Sequence, residues 1–140
     1  MAETTTNSGL LTVRLVTPDR VLLDATAEAV ELPAMSGYIE ALYGHAPLLT
    51  ELGTGFMYYV VGGKRTYFSI HGGFAEVLPD RVRMLANGCE RADEIDVERA
   101  RRALERAQRE LENPALGVDP AAALAAIARA QARLDAAAQR

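Results

Sequence analysis

Arginine is the residue type through which this chain could do chemistry. Arg99, Arg102, Arg106 and Arg109 recur at steps of three, four and three residues, which puts side chains on one face of a helix. Arg129 and Arg133 stand four apart in a second helical stretch, and Glu90 and Asp96 precede the first set. A guanidinium is a planar fork that pairs bidentately with carboxylate or phosphate. Several guanidiniums facing one another repel unless an anion sits among them. The set fits two readings. One is a solvated basic face partnered by Glu105 and Glu110. The other is a cradle for a polyphosphate, with Glu90 and Asp96 supplying part of the charge balance.

The remaining reactive types point away from catalysis. Cys89 is the single cysteine, beside Glu90 and with Arg91 as its one basic neighbour; it reads as an inert thiol. His71 precedes Gly72-Gly73 at a strand end, and His45 sits in the loop Gly44-His45-Ala46-Pro47. Neither has a nucleophile or an orienting carboxylate at a spacing that suggests a catalytic triad. There is no GxxxxGK[ST] loop and no strand-GxGxxG-helix unit. One cysteine and two histidines leave no Cys-cluster metal site and little for a His-based one. No enzyme and no required cofactor is expected.

The elements that must position the arginines change character near Cys89. Before it, glycine, β-branched residues and aromatics dominate; after it there is no aromatic residue. In the first half Leu11, Val13 and Leu15 alternate with Thr12 and Arg14, the period of a half-buried strand. Phe56 to Val61, Gly62-Gly63-Lys64 and Thr66 to Ile70 read as a hairpin; Phe74 to Leu78, Pro79-Asp80 and Arg81 to Leu85 read as a second. Turn signals at this spacing predict a β-sandwich or barrel of about eight to ten strands.

The second half switches to helical spacing. Asp96 is a candidate N-cap, and Val97, Ala100, Leu104, Ala107 and Leu111 form one apolar stripe. Asn113-Pro114 ends that helix, and Asp119-Pro120 starts another, whose stripe is Leu124, Ile127 and Leu134. The short connection predicts an antiparallel hairpin. Two thin stripes rich in alanine bury little area, so the hairpin must lean on the β module or on a partner. The expected organisation is a disordered start at 1–9, a β domain at 10–88 and a helical hairpin at 89–140.

Composition narrows the function classes. Hydrophobic residues are 49% and charged residues 24% of 140, as in a folded soluble domain. The net charge of −4, from 15 Lys+Arg against 19 Asp+Glu, excludes broad electrostatic binding to nucleic acid. No run approaches the roughly 18 to 20 apolar residues of a membrane span, and the Thr-rich start does not read as a secretory signal.

Taken in order, several segments resemble the epsilon subunits of the rotary proton-translocating ATP synthase (delta in mitochondria). Leu15-Val16-Thr17-Pro18-Asp19 is similar to the family's opening strand and turn. Ser36-Gly37 and Tyr43-Gly44-His45-Ala46-Pro47-Leu48-Leu49 resemble its glycine loop and G-H-x-P segment. His71 to Val77 resembles its G-G-F-x-E hairpin, and Ile95-Asp96-Val97-Glu98-Arg99-Ala100 matches its I-D-x-x-R-A nucleotide motif. The chain departs from the family pattern at Tyr38 to Leu42.

This resemblance implies a flattened β-sandwich of about ten strands followed by an antiparallel two-helix hairpin. The sandwich would dock on the gamma subunit and on the c-ring loops, with Tyr43, Gly44, His45 and Pro47 in the partner interface. The hairpin would reach the catalytic alpha/beta head and inhibit ATP hydrolysis when extended. ATP is the implied regulatory ligand, held by Glu90, Asp96, Arg99, Arg106, Arg129 and Arg133 in the compact state. The protein would be a non-catalytic rotor subunit at the cytoplasmic face of a bacterial plasma membrane, membrane-associated only through the complex. The alternative is a free-standing β-sandwich and hairpin adaptor unrelated to the synthase.

Overall fold

The computed structural model describes residues 9–140; the expected disordered start therefore lies outside the described residues except for Gly9, which stands in a turn. Among these residues eight strands precede two helices. β1 (Leu11–Val16) buries Leu11, Val13 and Leu15 and turns Thr12 and Arg14 outward, as its alternation predicts. β2 (Val21–Ala27), β3 (Ala29–Ala34), β4 (Gly37–Leu42), β5 (Leu48–Val61), β6 (Lys64–Leu78), β7 (Arg81–Ala86) and β8 (Cys89–Arg91) follow. The spatial order is β2-β1-β7-β6-β5-β3-β4, with β8 also paired to β6. The β1–β7 pair is parallel and the other pairs are antiparallel.

Two long strands organise the sandwich. β5 and β6 pair from Leu48↔Val77 to Val61↔Lys64 around Gly62-Gly63, whose positive φ angles of 58° and 78° suit a mirror-image two-residue turn. One end of β6, Gly73 to Leu78, holds β7; the other, Phe68 to Ile70, holds β8. The exchange falls at Gly72-Gly73. A Cβ on Gly73 would run into the carbonyl oxygen of Leu85, so only glycine fits there. Because β5 and β6 each serve both parts of the sheet, the architecture is reached with eight strands. Its core joins Leu11, Val30, Leu52, Met57, Phe68, Ile70 and Met84, all buried.

β8 carries the chain out of the sandwich. Cys89 to Arg91 add to β6, so the sheet continues three residues past the compositional break at Cys89. A 3-10 turn over Ala92–Glu94 then leads to α1 (Val97–Glu112). Asp96 caps α1 by accepting a hydrogen bond from the Arg99 amide. Asn113 caps a second 3-10 turn, and Asp119 and Pro120 open α2 (Pro120–Ala137).

The α1 stripe is buried or half-buried throughout, as expected. Of the expected α2 stripe, Ile127 and Leu134 are half-buried, but Leu124 departs. Leu124 is 55% exposed, and the buried residues are Ala123, Ala130, Ala132, Ala136 and Ala137. One residue along a helix is about 100° around it, so a seam centred on Ala123, Ala130 and Ala137 turns Leu124 to solvent. The small side chains let neighbouring elements approach closely. α2 packs on α1 and also on β5 and β6, whereas α1 leans chiefly on α2. A second small cluster fastens the hairpin: Ala136 and Ala137 meet Tyr58 and Tyr67, with Ala92 and Ile95 beside them.

Candidate functional site

A cleft of ≈ 770 Å3 opens along α1 where it faces β8 and the C-terminal part of α2. Five of the six expected nucleotide residues line it: Glu90, Asp96, Arg99, Arg106 and Arg133. Arg102 and Arg109 extend the basic wall, and Glu94 and Glu105 add acid. Arg129 is exposed and does not line the cleft; its charge acts instead on His71 beneath α2.

The charges are graded along the cleft. Glu90, Glu94 and Asp96 gather at the start of α1, and the arginines follow down the helix. Asp96 is engaged as the cap. Arg133 donates through Nε to Glu90 Oε1 at 2.5 Å, tying α2 to β8. Among the described residues, no carboxylate lies within ion-pair distance of Arg99, Arg102, Arg106 or Arg109. Glu98, beside Arg99 in sequence, pairs with Arg101 on the outer surface. A row of guanidiniums with no carboxylate partner among the described residues attracts a multiply charged anion.

The expected interface loop is elsewhere on the sandwich. Gly44, at φ 90°, donates its amide to the Pro79 carbonyl at 2.7 Å, and the His45 amide donates to Leu42 at 3.0 Å. His45 Nδ1 donates to the Ala46 carbonyl at 2.6 Å. This pinning holds Tyr43 and the following Leu48 and Leu49 out to solvent. A fixed loop with an exposed apolar rim is suited to docking.

Three features escaped the sequence. His71 lies under α2, with Nε2 3.2 Å from Ser69 Oγ and Nδ1 buried without a partner among the described residues. Burial, helped by Arg133, pushes its pKa down to about 4. Arg140 donates to the carbonyls of Ala92 (2.9 Å) and Ile95 (3.1 Å), fastening the end of the hairpin to its own root. Arg65 stacks 4.4 Å over the Tyr58 ring and donates to the Tyr67 hydroxyl. The one available signal was the Tyr58/Tyr67 pair, two aromatics facing each other across a hairpin already legible from its turn. Cys89 keeps the expected inert character, since burial pushes its thiol up to about 11.

The chain is similar to known proteins in both of its parts. Residues 10–92 match the family described as ATP synthase, Delta/Epsilon chain, beta-sandwich domain, and residues 93–138 match its long alpha-helix domain. The ATP synthase epsilon chain of Solibacter usitatus is 56% identical over 124 residues, covering 89% of this chain and 92% of that one. That of Moorella thermoacetica is 46% identical over 132 residues, covering 91% and 96%. A chain of the Euglena gracilis mitochondrial ATP synthase superposes with a TM-score of 0.81 at 26% identity, covering 93% of this chain and 82% of that one.

A β-sandwich that carries a long-helix hairpin defines the class, an accessory stalk subunit. The chain belongs to the ATP synthase delta/epsilon family, as a non-catalytic epsilon chain of the central stalk. It thereby serves ATP synthesis and hydrogen-ion transport within a membrane-associated complex. Among the described residues no helix is long and apolar enough to cross a membrane. The unrelated-adaptor alternative is not favoured.

Proposed function

We propose that the chain is a rotor subunit whose hairpin senses ATP and thereby sets whether the motor can hydrolyse it. The sandwich docks on the gamma subunit and the c-ring loops at the cytoplasmic face of the bacterial plasma membrane, with Tyr43, Gly44, His45 and Pro47 in the contact. The observation that carries the regulatory part is the cleft, where Arg99, Arg102, Arg106 and Arg109 share one wall with no carboxylate partner among the described residues. Phosphates fit that wall through bidentate charge-assisted bonds. The acidic end, Glu90 and Glu94, offers acceptors for the amino and hydroxyl donors of a nucleoside. Arg133 can exchange its Glu90 partner for a phosphate, and Arg129, one turn along α2, joins the same charge field.

The cleft needs both helices and β8 in their present positions, so a nucleotide there binds only the compact hairpin. It stabilises that state by RT ln(1 + [L]/Kd), about 2.7 kcal/mol at a hundredfold excess over Kd. The seam between α2 and the sheet is small enough for this to decide the population. Released, the hairpin is free to reach the alpha/beta head and block hydrolysis. Calorimetric titration of ATP tests the reading. Arg99→Ala weakens binding roughly tenfold or more, consistent with loss of one charge-assisted contact, and increases inhibition of hydrolysis at high ATP. Unchanged affinity in that variant overturns the site.

A further inference from the structure

α2 meets the sheet across a polar seam as well as an apolar one. The β5–β6 register sets Thr54 opposite His71, Phe56 opposite Ser69 and Tyr58 opposite Tyr67, and β8 sets Glu90 opposite Ser69. Toward the tyrosines the seam is closed by Ala136 and Ala137. Toward His71 it is closed by charge. Arg129 and Arg133 act on the imidazole from α2, and Glu90 acts from β8. Glu90 is already engaged by Arg133. Ser69 is fully buried and its hydroxyl meets Nε2; among the described residues Nδ1 is buried without a partner.

A neutral imidazole is tolerated here. An imidazolium is not, because it would place a third positive charge beside two guanidiniums and give Nδ1 a buried proton with no acceptor. We propose that His71 couples the hairpin to pH: protonation of its ring drives α2 off the sheet, so that acidification populates the released hairpin. The inference rests on the reading that the hairpin can leave the sheet.

Under α2 the ring titrates at about 4; uncovered, it returns toward the ordinary histidine value of about 6.5. Between these values the released state binds more protons than the docked one. Docking is therefore favoured above about pH 6.5 and weakens as pH falls toward 4. His71 is partly solvent-exposed, which discounts the effect. The released-to-docked ratio should rise roughly tenfold from pH 7.5 to 5.

The test uses the full chain in a Cys89→Ser background, with fluorescent labels on Val61→Cys and Leu124→Cys, both exposed when docked. Energy transfer between the labels falls with acidification in this protein and stays flat in His71→Asn and His71→Gln. The same acid-dependent fall in both variants overturns the proposal. Ala137→Glu, which puts a charge against the tyrosines, is the control for mobility. If that variant is released at pH 7.5 while the parent stays docked at pH 5, the role of His71 is excluded and the mobile hairpin stands. If even that variant stays docked, the mobile-hairpin reading fails and the inference with it. An NMR titration of His71 in the docked protein gives a second reading: a midpoint well below 6.5 is expected, and one at 6.5 contradicts the proposal.

Discussion

The two interfaces of this molecule are built from different materials. Inside the sandwich, Phe68, Leu11, Leu15, Leu32, Met57 and Ile70 are all but fully buried against one another. Under α2, two alanines touch two tyrosines, one arginine reaches a glutamate, and a histidine lies among polar groups. Each buried large apolar side chain contributes about 1.5–3 kcal/mol, whereas an alanine methyl contributes less than one. In the proposed reading the first interface is the platform that transmits force, and the second holds an arm at a free-energy cost that a ligand or a proton can match.

Substitutions can break this contrast. Phe68→Ala removes the largest fully buried side chain and should lower global stability by about 3–5 kcal/mol in denaturant unfolding. A loss confined to the hairpin would mean that Phe68 supports the α2 seam and not the sandwich core, and the contrast would fail. Ala136→Leu overfills a fully buried position at the α2 seam, at a cost of about 1–3 kcal/mol. It should speed hydrogen exchange in α2 while exchange in β5 and β6 remains slow. Glu90→Ala leaves Arg133 without its partner. Since both groups are partly exposed, the change in docking should be within about 1 kcal/mol. A much larger loss would make this ion pair, and not the alanine–tyrosine contact, the main fastening.

The same contrast governs what was legible in the sequence. β1 and the two hairpins were readable because apolar and polar residues alternate and Gly62-Gly63 and Pro79-Asp80 mark the turns. The α2 seam was not, because in Ala-rich helix the buried and exposed alanines look alike, and the eye falls on Leu124. β8 was hidden by the compositional break at Cys89 that it straddles. For the cleft, helical spacing placed Arg99 and Arg106 on one wall and the short connection brought Arg133 near. It could not say which way Arg129 would turn, since residues four apart on a helix differ by about 40° around it, enough to leave Arg133 in the cleft and Arg129 exposed. The pairing of Arg133 with Glu90 was equally hidden, although Glu90 had been singled out as a source of balancing charge. His71 beneath Arg133 joins residues 62 positions apart, and no local pattern links them.

The most direct test of the account is amide hydrogen exchange across Ala130 to Ala137 of the full chain, with and without ATP. If ATP holds the hairpin compact, exchange by opening of α2 should slow roughly a hundredfold at a hundredfold excess over Kd, with the sandwich core unaffected. Equal exchange in both conditions, with ATP demonstrably bound, would contradict the claim that the nucleotide selects the posture of the arm.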